Sequence, residues 1–182
     1  NYWGGSSVDT EKTFSASVAA PLTVEVDRVS HAGITAAGSA TRTGVWLSDQ
    51  TRSRYVFFSD NEGEGGWQVN SKLGLTTDNP TGGGANIGVF DGMPYDDGGL
   101  HHIKLVANGT TVRIFLDGVL GNEVPFPLTS GIVAGFGAYT RASGDSVSAK
   151  FDNFCVLSSQ PAVLPCVVAT PARVSGMVGT TA

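Results

Sequence analysis

The sequence has few charged residues and no cluster of basic ones. Charged residues make up 15% of the 182, and 11 Lys and Arg stand against 16 Asp and Glu, for a net charge of −5. Proteins that bind nucleic acid gather basic residues on one surface, so nucleic acid is not an expected partner. No apolar stretch reaches the roughly 20 residues of a membrane helix, and no signal-peptide pattern follows Asn1. We therefore expect a mature or excised fragment without a membrane span.

Cysteine is also scarce, and the two that occur are Cys155 and Cys166. No histidine lies near them and their spacing does not suit a zinc site. Together with the low lysine content and the triplet Asn108-Gly109-Thr110, they favour an oxidising, extracellular or cell-surface location. We predict that Cys155 and Cys166 form a disulfide in the mature protein.

What the sequence has in quantity is glycine and alternating apolar residues. There are 25 glycines, and a period of two recurs from Phe14 to Leu157, bounded by Gly, Asn, Asp and Pro clusters. This pattern predicts an all-β fold of about ten or more short strands with little helix. The candidate strands are Thr13–Ala19, Leu22–Val29, Gly44–Asp49, Arg54–Ser59, Gly66–Ser71, Gly84–Phe90, Leu100–Ala107, Thr111–Leu116, Val119–Pro125, Gly131–Tyr139 and Ser146–Val156.

Two tight turns are predicted between Leu100 and Pro125. The pairs Asn108-Gly109 and Asp117-Gly118 stand between alternating apolar runs and supply the positive φ angles that a hairpin turn needs. This predicts a three-stranded antiparallel meander. The turn also explains Asn108 better than glycosylation does.

These residues carry a resemblance to a known superfamily. The two histidines His101 and His102, the Asn-Gly turn and the run Val-Arg-Ile-Phe-Leu-Asp-Gly that ends at Gly118 resemble the core of concanavalin A-like and laminin G-like domains. The closing run Ala-Lys-Phe-Asp-Asn-Phe-Cys-Val from Ala149 resembles their last strand. The resemblance implies an antiparallel two-sheet jelly-roll sandwich. We assign residues 1–158 to this lectin-like domain and residues 159–182, rich in Pro, Ala and Val, to a C-terminal tail or linker.

Enzymes of this superfamily set the pattern for a catalytic site. Its laminarinase-type members carry Glu-x-Asp-x-x-Glu on one strand, so that paired carboxylates share a face. Here Glu25 and Asp27 are followed by Ser30 in place of the last acid. His101 and His102 start a strand, and no Gly-x-Ser-x-Gly elbow accompanies them. We therefore do not expect an enzyme.

A metal site is implied by the resemblance alone. Domains of this superfamily often hold a structural Ca²⁺ between the first and last strands, and Asp152 would then be its side-chain ligand. The acidic run from Asp60 to Gly65 opens like an EF-hand loop, but Ser71 stands where a closing Glu is needed. For that run we expect a solvated acidic turn.

Sugar binding needs aromatic rings that stack on pyranose faces, with polar side chains beside them. If Val45 and Leu47 point inward, alternation places Trp46 on the opposite face of the sheet. The candidate glycan-binding residues are Trp46, Arg54, Gln68, Asn70 and Tyr95. The alternative is that Trp46 and Trp67 are both core residues, which is common for aromatic residues in a sandwich.

Two classes of function remain in view. The first is a non-catalytic, lectin-like carbohydrate-binding module of a secreted or surface protein. The second is a structural or adhesion subunit of an extracellular assembly, such as a filament, a surface layer or a virion appendage, in which residues 159–182 contact a neighbouring chain. Binding to a glycan array favours the first, and a homogeneous multimer favours the second.

Overall fold

Two six-stranded antiparallel sheets make up the computed structural model, which describes residues 9–13, 17–34, 41–51, 53–62, 66–73, 85–89, 98–140, 144–158 and 172–177. The strands are β1 (Asp9–Thr13), β2 (Leu22–Ile34), β3 (Thr41–Asp49), β4 (Tyr55–Glu62), β5 (Gly66–Lys72), β6 (Ala85–Val89), β7 (His101–Ala107), β8 (Thr111–Leu116), β9 (Val119–Pro125), β10 (Ile132–Thr140), β11 (Ser146–Ser158) and β12 (Ala172–Met177). Sheet A has the order β1-β10-β3-β4-β5-β6 and sheet B the order β12-β11-β2-β7-β8-β9. Within these ranges there is no helix that could cross a membrane.

The core between the sheets follows from the alternation of apolar residues. In sheet B, Ile103 and Leu105 of β7 and Ile114 of β8 are fully buried, whereas the residues between them are partly or fully exposed. In sheet A, Val45 and Phe58 are buried in the same cluster. Burial of one apolar face from each sheet drives the two sheets to pack as a sandwich.

Both predicted hairpin turns are present. Asn108 Oδ1 accepts hydrogen bonds from the backbone N–H groups of Thr110 and Thr111, at 2.8 Å each, and Gly109 has a φ of 97°. Asp117 and Gly118 have φ angles of 51° and 81°. The explanation of Asn108 as a turn residue is confirmed, and β7, β8 and β9 form the predicted meander.

The two ends of the sequence differ from the prediction. The first strand is Asp9–Thr13, not Thr13–Ala19, where Val18 forms one isolated bridge with Ile132. Strand β12, which pairs with β11 of the same chain, falls where the sequence predicts no strand. The domain boundary at residue 158 and the contact of the tail with a neighbouring chain stay predictions.

Sheet A differs from sheet B in being buried on both faces. Every residue of β10, and every residue of β3 except Asp49, is buried. The core accounts for one face. On the face directed away from sheet B, which we call the outer face, a second apolar cluster consists of Trp46, Tyr55, Phe57, Val133 and Tyr139.

The predicted disulfide joins Cys155, which is buried, to Cys166, which the structure does not describe. Cys155 lies in β11 with 8% of its surface exposed, and Cys166 falls outside the described residues. A bond between them closes a short loop and is expected to stabilise the fold by about 2–3 kcal/mol through the entropy of the unfolded chain. Alkylation under denaturing, non-reducing conditions followed by mass spectrometry should find no free thiol. Two alkylated cysteines would refute the pairing.

Candidate functional site

The outer face of sheet A brings together the residues that alternation predicts for it. Across the sheet, Gly135, Trp46, Phe57 and Asn70 are directly opposed partners in β10, β3, β4 and β5. In the neighbouring row, the directly opposed partners are Gly137, Gly44, Ser59 and Gln68. Trp46, Gln68 and Asn70 therefore share one face, as the sequence predicts.

Aromatic rings cover the centre of this face. Phe57 of β4 and Tyr139 of β10 meet edge to face, with ring centroids 5.0 Å apart and an interplanar angle of 76°. Their strands are separated by β3, and Gly44 of β3 lies between their two rows. Because Gly44 carries no side chain, the rings can meet above the strand. Such ring pairs add stability beyond the area that they bury.

The exposed platform that the sequence suggested requires correction. Trp46 has 1% of its surface exposed, Gln68 3% and Asn70 4%. The reason is the aromatic cluster: Tyr55 and Phe57 point to the same face as Trp46 and pack with it. Trp46 is a packed residue, although it lies on the side of sheet A opposite the core between the sheets.

The other candidate glycan-binding residues lie apart from this face or outside the described residues. Arg54 is exposed in the bend before β4. Arg113 lies on the solvent face of sheet B beside Phe115. Tyr95 lies outside the described residues. The assignment of Trp46, Arg54, Gln68, Asn70 and Tyr95 to glycan binding stays a prediction.

Asn70 contributes a polar atom that needs a partner. Its Oδ1 is buried and accepts no hydrogen bond from any residue in the described ranges. Burying an amide oxygen without a donor costs about 1–3 kcal/mol. The outer face of sheet A therefore carries a buried acceptor, beside the aromatic cluster, that has no donor among the described residues.

Glu25 and Asp27, the two acids that match part of the laminarinase-type pattern, lie on sheet B. Glu25 Oε1 is 2.8 Å from Lys104 Nζ, and Asp27 Oδ1 is 2.7 Å from His102 Nδ1. Asn153 Nδ2 donates to Asp27 Oδ2 at 2.6 Å. Both carboxylates therefore have side-chain partners on the outer surface of sheet B.

The two histidines have separate structural partners. His101 Nδ1 is 2.7 Å from Asp117 Oδ2, and the His101 ring stacks edge to face on Trp67. His102 pairs with Asp27 instead, because successive residues of a strand point to opposite faces. His101 therefore packs inward, and His102 is partly exposed on the outer surface of sheet B.

Asp27 should make stability depend on pH. Burial raises the pKa of Asp27, but the hydrogen bonds from Asn153 and His102 and the charge of His102 outweigh it, so the pKa lies below 3.8. A depressed folded-state pKa stabilises the fold above the unfolded pKa, and this stabilisation is lost as the pH falls through the folded value. Asp27→Asn should be less stable than the parent at pH 7, and the difference should shrink below about pH 4. Urea denaturation across that range measures it, and a constant difference would refute the role of the carboxylate.

Asp60 is not part of a solvated acidic turn, which corrects the prediction for that residue. It lies in β4, fully buried between the sheets, where its Oδ2 pairs with Arg28 Nη1 and His31 Nδ1 and accepts a hydrogen bond from Thr43. Arg28 also donates to the Gly99 carbonyl at 3.1 Å and lies over the Trp67 ring.

A bulge in β2 brings the basic partners of Asp60 to one side. Arg28 and His31 are three positions apart, which would place them on opposite faces of a regular strand. The register between β2 and β11 shifts here: Phe151 opposes Arg28 and Lys150 opposes Ser30, leaving Val29 as the extra residue. Such a bulge restores both side chains to the interior. Sequence alternation alone gives no sign of it.

The calcium prediction gains no support from the described side chains. Asp152 Oδ1 accepts a hydrogen bond from the backbone N–H of Asn153 at 2.8 Å, and Asn153 holds a φ of 53° at a second register shift of β11. Among the described residues, no three His, Cys, Asp or Glu side chains converge on one point. A cation needs several oxygen ligands. These ligands include backbone carbonyl oxygens as well as carboxylates, and the Ca²⁺ site at Asp152 stays a prediction.

With this geometry in place, comparison with solved structures defines the class of the fold: it is a concanavalin A-like jelly-roll sandwich. The chain is similar to carbohydrate-binding module CBM66 from Bacillus subtilis, with a TM-score of 0.53 and 19% identity, over 83% of this chain and 84% of that one.

Two further solved structures are similar to the chain. The endo-β-1,3-glucanase from Pyrococcus furiosus has a TM-score of 0.53 and 9% identity, over 91% of this chain and 62% of the glucanase. A structure from work on endo-acting O-glycanases of the human gut microbiota has a TM-score of 0.55 and 8% identity, over 74% of this chain and 61% of that one. At these identities the likeness establishes the fold alone. No family model and no curated protein matches the sequence.

Proposed function

We propose that this chain is a non-catalytic carbohydrate-binding module of an extracellular or cell-surface protein, and that it binds glycan through the outer face of sheet A. The observation that carries the proposal is the grouping of Gln68 and Asn70 with an aromatic cluster on one face of a fold that CBM66 shares. Amide groups fix sugar hydroxyls, and aromatic residues supply apolar contact. In this arrangement Trp46 supports the amide side chains from within the cluster. Arg54 and Tyr95 stay candidate glycan contacts beyond this cluster.

Binding without hydrolysis is favoured by the position of the carboxylates. A retaining glycosidase needs two carboxyl groups about 5 Å apart beside the substrate. Glu25 and Asp27 lie instead on sheet B, each held by a basic partner. Incubation of the pure chain with a polysaccharide should release no reducing ends, and their accumulation would overturn the non-catalytic part of the proposal.

Asn70→Leu tests the binding face with little risk to the fold. Since Asn70 Oδ1 has no donor among the described residues, its loss should cost little stability, whereas a glycan hydroxyl would lose its acceptor. Because sugar hydroxyls must leave water to bind, we expect a single sugar to bind near millimolar Kd, so a densely displayed glycan array is the suitable assay. We expect at least about a fivefold loss of array signal for Asn70→Leu, from one lost hydrogen bond.

Arg113→Ala provides the matched control on sheet B, and it should bind as the parent does. Equal binding by the parent and Asn70→Leu would remove the outer face of sheet A from the proposal. Absence of binding by the parent to every glycan on the array would remove carbohydrate binding itself.

A further inference from the structure

Two threonine hydroxyls inside the sandwich stand out because nothing in the described chain bonds to them. Thr41 and Thr140 have relative exposures of 0% and 1%, and neither Oγ1 atom makes a hydrogen bond within the described ranges. Buried hydroxyls without a partner are rare, because each one forfeits the hydrogen bonds that water gave it in the unfolded chain. Because such groups are rare, two neighbouring buried hydroxyls without a partner indicate one shared explanation.

The strand register of sheet A places Thr41 and Thr140 side by side. Thr140 of β10 is the direct partner of Thr41 of β3. Both fall on the face that carries Val45 and Ala138, so they point between the sheets. Directly opposed residues in antiparallel strands have Cβ atoms about 4.5–5.5 Å apart, a distance that one water molecule can bridge between two hydroxyl groups.

The surroundings are polar enough to hold such a molecule. Thr43, two residues along the same face of β3, donates to Asp60, so this end of the interior already contains a hydrogen-bonded polar group. Buried water in proteins occupies sites of this type, where otherwise unsatisfied polar groups offer it two or more partners.

We propose that Thr41 and Thr140 form a binding site for one buried water molecule that bridges β3 and β10. The water satisfies both hydroxyl groups and joins the end of this strand pair beneath the outer face. The proposal does not depend on carbohydrate binding.

A double-mutant cycle with Thr41→Val and Thr140→Val tests the site, because valine keeps the shape of threonine and removes the hydroxyl. If the hydroxyls share a water, each single variant should raise the equilibrium constant of unfolding about fivefold. The double variant should then show much less than the product of the two single effects, because the water is already lost in either one. Thr140→Ser, which retains the hydroxyl, should preserve the coupling with Thr41.

Two results would overturn the proposal. If the two hydroxyl groups have no partner at all, both valine variants should be as stable as the parent or more stable, and their effects should be additive. A direct hydrogen bond between the two hydroxyls would give coupling but no bound water. Water–protein cross-relaxation by NMR separates that case: a long-lived water near the methyl groups of Thr41 and Thr140 is expected in the parent, and its absence there refutes the site.

Discussion

Replacement of Asp60 by asparagine is expected to lower the free energy of unfolding by about 3–5 kcal/mol, the cost of leaving a buried charge without its counter-ion. Asp60 lies fully buried between the sheets, and Arg28, which is also fully buried, comes from the opposite sheet to meet it. The neutral amide would keep the shape of the side chain and remove its charge. Urea denaturation of the folded variant measures the loss.

A double variant separates the charge from the packing. Arg28→Met combined with Asp60→Leu removes both charges, and it should be more stable than Asp60→Asn because no unpaired guanidinium remains inside. The partly exposed pair Lys104 and Glu25 gives a matched comparison, and Lys104→Met should cost about 0.5 kcal/mol or less. A similar small cost for Asp60→Asn would show that the interior is far more hydrated than the burial of these residues indicates.

The elements that sequence predicts correctly are those specified by local chemistry. The two turns need positive φ angles at Gly109, Asp117 and Gly118 and a short polar side chain at Asn108, and these needs are visible in four residues. Strands β7 and β8 are equally visible, because sheet B is buried on one face and alternation marks that face.

The features that sequence does not predict depend on distant contacts. Alternation assigns Trp46 to the correct face, but its burial comes from Tyr55, Phe57 and Tyr139 on other strands. Asp60 stands in a run of acids and glycines that is typical of a solvated turn, yet its partner Arg28 is 32 positions away. Since a sheet buried on both faces loses the polar side of its alternation, its strands give no signal for which polar residues are inside.

The remaining large effect is expected at Gly44, where β3 and β4 approach closely. A methyl group at this position would collide with the Phe58 carbonyl oxygen and lie 2.6 Å from Ser59 Cα and 2.8 Å from Ser59 Cβ. Backbone atoms cannot rotate away, so the two strands would have to separate beside Trp46. We expect Gly44→Ala to lower the free energy of unfolding by about 3 kcal/mol, at the upper end of the range for overpacked positions.

Gly118→Ala is the control that separates collision from backbone strain. Gly118 has a φ of 81° and no atom within 4 Å of the added methyl, so its replacement carries the cost of a left-handed residue alone, about 1–2 kcal/mol. The φ of Gly44 is not in this left-handed range, so a larger loss of stability in Gly44→Ala would arise from the contact between strands. Because Gly44 also lies beneath the Phe57 and Tyr139 rings, its variant should weaken their packing, seen as reduced near-ultraviolet circular dichroism before unfolding. Equal losses at Gly44 and Gly118 would mean that β3 and β4 can separate freely, and the outer face of sheet A would then not be the rigid support that the proposed glycan site requires.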